Sequence, residues 1–164
     1  MRKIHLFLFA VLCFQCKDES PPIGEPFSQV EGINDTWKLV SIEQTDELNK
    51  GDDEALDVTT LMGGAEAAVM TFNSTDFTYT LESGTMRSFF PANGNWFFDD
   101  NDFPAKITLE NSGTQVELDL QAPIRRESGE DNLIIKYIRP IDGCKELEGG
   151  QIGAVAYRYN FLRQ

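Results

Sequence analysis

Histidine is all but missing from this chain. The single His5 lies in the first apolar run, so nothing downstream offers an imidazole. That excludes Ser-His-Asp and Cys-His catalysis, and any zinc site that needs a histidine ligand. Cysteine is scarce as well, with Cys13 and Cys16 near the N-terminus and Cys144 far downstream. A lone Cys144 makes no intramolecular disulfide and no thiolate cluster for metal. It reads as a small, partly buried residue near the turn Asp142-Gly143. Basic residues are few, 14 Lys plus Arg against 27 Asp plus Glu, for a net charge of −13. A surface this negative is repelled by phosphate backbones and anionic head groups, which argues against nucleic acid and lipid surfaces as partners of the folded part. No helix-length apolar period alternates with strands, so a βαβ architecture is excluded too.

What is present begins at the N-terminus. Arg2 and Lys3 precede the apolar run Ile4 to Phe14, broken only by His5. Eleven helical residues span only about 16 Å, roughly half a bilayer core, so the run is too short for a permanent membrane span. A positive start and a short apolar run mark an export signal over residues 1–15. Cys16 stands where apolar sequence turns polar, the place of the cysteine that receives diacylglycerol in a bacterial lipoprotein. Cys13-Phe14-Gln15 departs from the usual lipobox. The following Lys17-Asp18-Glu19 resembles the Lys-plus-acidic export tag of Bacteroidetes-type lipoproteins. That resemblance implies a chain anchored through lipid on Cys16 in the bacterial cell envelope, an outer-membrane lipoprotein on the periplasmic face or the cell surface. Ordinary cleavage and a free secreted domain is the alternative. Loss of residues 1–15 lowers Lys plus Arg from 14 to 12 against 27 acids, a formal charge of about −15.

Residues 16–33 carry Pro21, Pro22, Gly24, Pro26 and Gly32 and read as a flexible tether. Residues 34–164 are then one domain, long enough to bury a core. Thr36 to Glu43 is its first strand, with Trp37 and Leu39 on one face and Val40 and Ile42 on the other, so both faces are expected to be partly covered. Ala55 to Leu61 is a candidate helix. Ala68, Met70 and Phe72, then Phe77, Tyr79 and Leu81, alternate as a hairpin with one dry face. Met86 to Phe90, Asn95 to Phe98, Ala105 to Glu110, Val116 to Leu120, Leu133 to Ile138 and Val155 to Leu162 follow as further strands. Ile124 to Glu127 continues or starts another. Turns at Asp99-Asp100-Asn101-Asp102 and Asn111-Ser112-Gly113-Thr114 separate some of them. About eight or nine short antiparallel strands have exposed edges unless the sheet closes. The expectation is an all-β, up-and-down antiparallel barrel of about eight strands, with a β-sandwich as the alternative.

Several segments resemble lipocalin-like domains of bacterial lipoproteins. Ile33-x-Asp35-x-Trp37-x-Leu39 is similar to their opening strand, except that Asp35 stands where a glycine is usual. Met70-Thr71-Phe72-Asn73 with Phe77-Thr78-Tyr79, Gly94-Asn95-Trp96-Phe97-Phe98-Asp99, Ile107-Thr108-Leu109 and the closing Tyr157-Arg158-Tyr159-Asn160-Phe161-Leu162 extend the likeness over residues 34–164. It implies a lipocalin-like barrel in which a basic residue of the closing end packs on the first-strand tryptophan. Arg158 and Arg163 are the candidates for that barrel closure against Trp37; a plain core tryptophan with solvated arginines is the alternative.

Three functions follow as expectations. The first is non-catalytic binding of a small apolar or amphipathic ligand in a cup lined by Trp37, Met70, Phe72, Phe77, Tyr79 and Trp96. The second is an interaction module with a filled barrel that docks another envelope protein. The third is a glycan hydrolase run by two carboxylates, for which no particular pair stands out. The adjacent pairs Phe89/Phe90 and Phe97/Phe98 cannot both face inward, so one member of each serves a mouth or packs in loops. Asp99-Asp100-Asn101-Asp102 and Asp52-Asp53-Glu54 lack the spaced calcium-loop pattern, and acidic turns form for backbone reasons. No catalytic residue, metal ligand or cofactor is therefore assigned. Oligomeric state is left open.

Overall fold

A computed structural model describes residues 28–47, 55–64, 68–122, 124, 131–140 and 154–164. The export signal, Cys16, Lys17, Asp18, Glu19 and Cys144 lie outside those residues, as does Asp52-Asp53-Glu54. Within the stretch expected as tether, Gln29–Ile33 forms the short helix α1, capped by the Ser28 side chain on the Glu31 amide. Its last residue, Ile33, is fully buried, so the barrel's packing starts ahead of Asn34.

Nine strands follow: β1 (Thr36–Asp46), β2 (Leu56–Asp57), β3 (Val69–Asn73), β4 (Thr78–Glu82), β5 (Asn93–Phe98), β6 (Lys106–Asn111), β7 (Thr114–Leu120), β8 (Asn132–Pro140) and β9 (Ala154–Arg163). β1 and β3 to β9 each pair antiparallel with their neighbours, and β1 pairs with β9 along most of its length. The result is a closed eight-stranded up-and-down barrel, as expected, and not a sandwich. β2 is the extra strand. It takes the edge of β1 at Glu43 and Gln44, above the point where β3 leaves it at Lys38. No helix forms over Ala55 to Leu61; the pairing β2 makes with β1 claims that backbone instead, and turns run through residues 59–63.

Two local features revise the strand alternation. The β1–β9 register slips between Leu39 and Ser41, a bulge that gives Val40 to solvent. Trp37, Leu39 and Ile42 therefore all face the core, although Ile42 has the opposite parity. Phe77 precedes β4 with φ 55°, which takes it out of the strand's pleat and leaves it 42% exposed. Met86 to Phe90 is not a strand; it belongs to the connection between β4 and β5. The interior holds Trp37, Met70, Phe72, Tyr79, Trp96, Ile107, Leu109, Leu118, Leu133, Ile135, Tyr159 and Phe161 in one apolar cluster.

Candidate functional site

The end of the barrel beside α1 is built around Trp37. Its indole N–H donates to the Ile33 carbonyl at 2.8 Å, which joins β1 to α1. The guanidinium of Arg163, the last residue of β9, lies 4.5 Å from the indole ring. Register explains the placement, because Arg163 is the direct partner of Trp37 in the β1–β9 ladder and shares the inward parity of Tyr159 and Phe161. Arg163 also pairs with Asp35 at 2.7 Å, donates to the Gly32 carbonyl at 2.8 Å, and puts Nε 2.8 Å from Asp131 Oδ2. That last contact is ionic, since the N–H is not aligned for a hydrogen bond, and Asp131 Oδ1 is buried without a partner. Arg158 takes no part in this closure. It has the outward parity, pairs across strands with Glu43, and makes its ion pair there.

Five of the six expected cup residues are buried in one apolar cluster. Trp37, Met70, Phe72, Tyr79 and Trp96 are all at most 2% exposed. Phe72 packs edge-on against Trp96 at 5.8 Å and tilted against Tyr79 at 6.3 Å, and Trp96 is in turn edge-on to Phe98. Phe77 is the exception: half-exposed, it covers Trp96 from outside at 5.3 Å. Of the pair Phe97/Phe98, Phe98 enters the core and Phe97 is exposed.

The other mouth is crossed by the β4–β5 connection. β4 and β5 stand opposite β8 and β9 in an eight-stranded ring, yet Phe90 packs 4.9 Å from Tyr159 and 6.0 Å from Tyr137. Phe89 lies against Tyr137 and Tyr157 at 5.3 and 5.0 Å, under the Arg139 guanidinium. The near side is held by Tyr79, whose hydroxyl donates to the Pro91 carbonyl at 3.1 Å; burial pushes that phenol up to about 12. The Tyr159 hydroxyl is fully buried with no hydrogen-bond partner, and burial first, then Tyr157 and Tyr137, raises its pKa. Tyr79 was expected in the cup; Tyr137, Tyr157 and Tyr159 were not named as site residues from the sequence, although Tyr157 and Tyr159 share one parity in the last strand.

Asp99 and Asp100 act on backbone amides. Asp99 Oδ1 accepts from Asp100, Ala105 and Lys106, and Asp100 Oδ1 from Asp102 and Phe103. Among the described residues no three acidic, histidine or cysteine side chains gather to hold a metal ion.

Fold and site together define a closed eight-stranded antiparallel β-barrel, sealed by an arginine–tryptophan stack at one end and a cross-mouth loop at the other. A family model, the domain of unknown function DUF5004, matches residues 15–146, and the chain belongs to that family. No curated protein matches the chain.

Proposed function

We propose that this is a non-catalytic, lipid-anchored protein of the bacterial envelope, whose barrel interior is a structural core and whose outer wall binds a partner protein. One observation supports the filled interior: five of the six side chains that would line a cup are buried in one apolar cluster, where Phe72 packs on both Tyr79 and Trp96. A barrel of this strand number is just wide enough to be filled by its own side chains, so the packing suits the strand count. The anchor reading rests on Cys16 at the apolar-to-polar switch and on Lys17-Asp18-Glu19 after it. The family match begins at residue 15, leaving the whole apolar run Ile4 to Phe14 outside it. Replacement Cys16→Ala is expected to leave the precursor without lipid and release the barrel from the membrane fraction. Unchanged membrane partitioning would refute the anchor.

A second reading, a small amphipathic ligand at the Phe89–Tyr137–Tyr157–Tyr159 end, is favoured by the orphaned Tyr159 hydroxyl, a buried donor with nothing to bond. Native mass spectrometry of the protein, purified gently from its own envelope, separates the two. A mass equal to chain plus anchor, with no uptake of a fluorescent lipid probe, is expected for the filled barrel. A reproducible further mass that Tyr159→Phe abolishes would establish the ligand instead.

A further inference from the structure

The β4–β5 connection that crosses the tyrosine end of the barrel is fixed at two feet and not along its span. On the entry side Met86 is buried, and the Arg87 amide donates to the Met62 carbonyl at 2.7 Å. On the exit side the Pro91 carbonyl accepts from the Tyr79 hydroxyl at 3.1 Å, and the Ala92 carbonyl from the Leu81 amide at 2.6 Å. Between these feet stand Ser88, Phe89 and Phe90. The polar groups of this tip close on one another. The Phe90 amide donates to Ser88 Oγ at 3.0 Å, and that hydroxyl donates to the Phe90 carbonyl at 3.1 Å. A backbone satisfied from within can move without leaving a bare amide behind. Among the described residues, no main-chain hydrogen bond joins residues 88–91 to β8 or β9. Ring contacts hold the tip there instead: Phe90 on Tyr159 and Tyr137, Phe89 on Tyr137 and Tyr157, with Arg139 over Phe89.

Closure has a cost next to the tip. The Tyr159 hydroxyl is buried with no hydrogen-bond partner, and the Phe90 ring lies 4.9 Å from that tyrosine. Lifting the tip lets water bond this hydroxyl, while it exposes the Phe90 ring. Burying one phenylalanine and leaving one polar group unpaired are effects of similar size and opposite sign. The Arg139 contact belongs to an exposed side chain and adds little to the closed side. Closed and open tip are therefore near balance, whereas long ladders hold β9 to both its neighbours.

We propose that residues 88–90 form a lid, hinged at Arg87 and Pro91, which opens locally and exposes the Tyr137–Tyr157–Tyr159 mouth while the barrel stays closed. Such opening is confined to a segment with few backbone ties and needs no global unfolding. The lid goes beyond both readings of function. On a filled barrel it presents three phenols to solvent, and on a ligand-binding one it controls entry.

The test is nitration of the full chain with tetranitromethane, read by peptide mass spectrometry at Tyr159 and Tyr79. Both side chains are buried, so global unfolding exposes both, whereas the lid exposes Tyr159 alone. Tyr159 is expected to react at least tenfold faster than Tyr79. Its rate should change little as urea is raised below the unfolding transition, while that of Tyr79 climbs, because only global unfolding exposes a large surface. Arg139→Gln removes the cation from Phe89 and should speed Tyr159 about threefold, with Tyr79 unchanged. Tyr159→Phe deletes the unpaired donor and should raise the melting temperature. Equal rates at the two tyrosines, rising together with urea, would overturn the lid, because Tyr159 would then be reached only by unfolding. So would an unreactive Tyr159 where Tyr137 and Tyr157 are modified, or an Arg139→Gln variant with the wild-type rate at Tyr159. A lower melting temperature for Tyr159→Phe would overturn it as well, since the hydroxyl would then be bonded in the closed state.

Discussion

Arg163 shows how much one side chain can connect. It bridges β9 to Asp35 before β1, to Asp131 before β8, to the end of α1 and to the Trp37 ring. Asp131 is only 12% exposed, so truncating the arginine strands a nearly buried carboxylate that already has one unpartnered oxygen. Arg163→Ala is expected to cost about 3 kcal/mol in urea unfolding, most of it the unpaired acid and on the order of 1 kcal/mol the lost ring contact. Arg163→Lys keeps the charge without the planar fork and should lie between wild type and Ala. A loss below about 0.5 kcal/mol for Ala, the range of ordinary surface changes, would show a solvated arginine. Asp99 makes a pH-dependent contribution. The Lys106 amide does most to hold its carboxyl below the ordinary 3.8, so folding favours the charged form. That stability is complete above 3.8 and is lost as pH falls through the lower folded value. Asp99→Asn should flatten this acid limb in melting curves taken from neutral pH downward. An unchanged limb would mean that the amides do not depend on the charge.

At the level of elements, turns and bulges decided what alternation could not. The β6–β7 hairpin closes on Ser112 and Gly113 with φ of 48° and 85°, both positive, the two-residue turn whose twist matches its strands. Asparagine tolerates that conformation better than serine, so Ser112→Asn is expected to raise stability by about 0.5 kcal/mol. A lower melting temperature would contradict the turn. Gly94 sits within β5 where a Cβ would come 2.0 Å from the Glu110 carbonyl of β6. Gly94→Ala must push β5 from β6, and a soluble variant with wild-type melting would disprove that close approach. The hairpin signals Asn111-Ser112-Gly113-Thr114 and Asn73-Ser74-Thr75-Asp76 were legible because glycine and short polar residues carry turn chemistry locally. The Val40 bulge and the backbone of Phe77 were not. Each depends on what a partner strand requires, and neither residue type signals it.

For the whole molecule, closure comes from β9, which pairs with β1 over nine positions and with β8 over nine. Closure removes the outer edges that an eight-stranded sheet would expose. The charge of −13 works against the compact state through self-repulsion. Raising salt from about 10 mM to about 200 mM shortens the screening length from about 30 Å to under 10 Å and should raise the melting temperature. A fall would mean that the ion pairs at Arg163, Arg158 and Lys136 outweigh the repulsion.

Period-two alternation, turn residues and the absence of helix-length patterns by themselves determined an all-β fold of about eight strands, because those signals are local and repeat along the chain. The β1–β9 pairing decided barrel over sandwich. Composition likewise left no histidine after His5, and a residue that is missing cannot be supplied by folding. Only the tertiary structure decided that Arg163 and not Arg158 meets Trp37, and that Trp37, Met70, Phe72, Tyr79 and Trp96 are buried in one cluster while Phe77 is not. Those are matters of register between strands distant in sequence, and register is set by partners that no single segment contains.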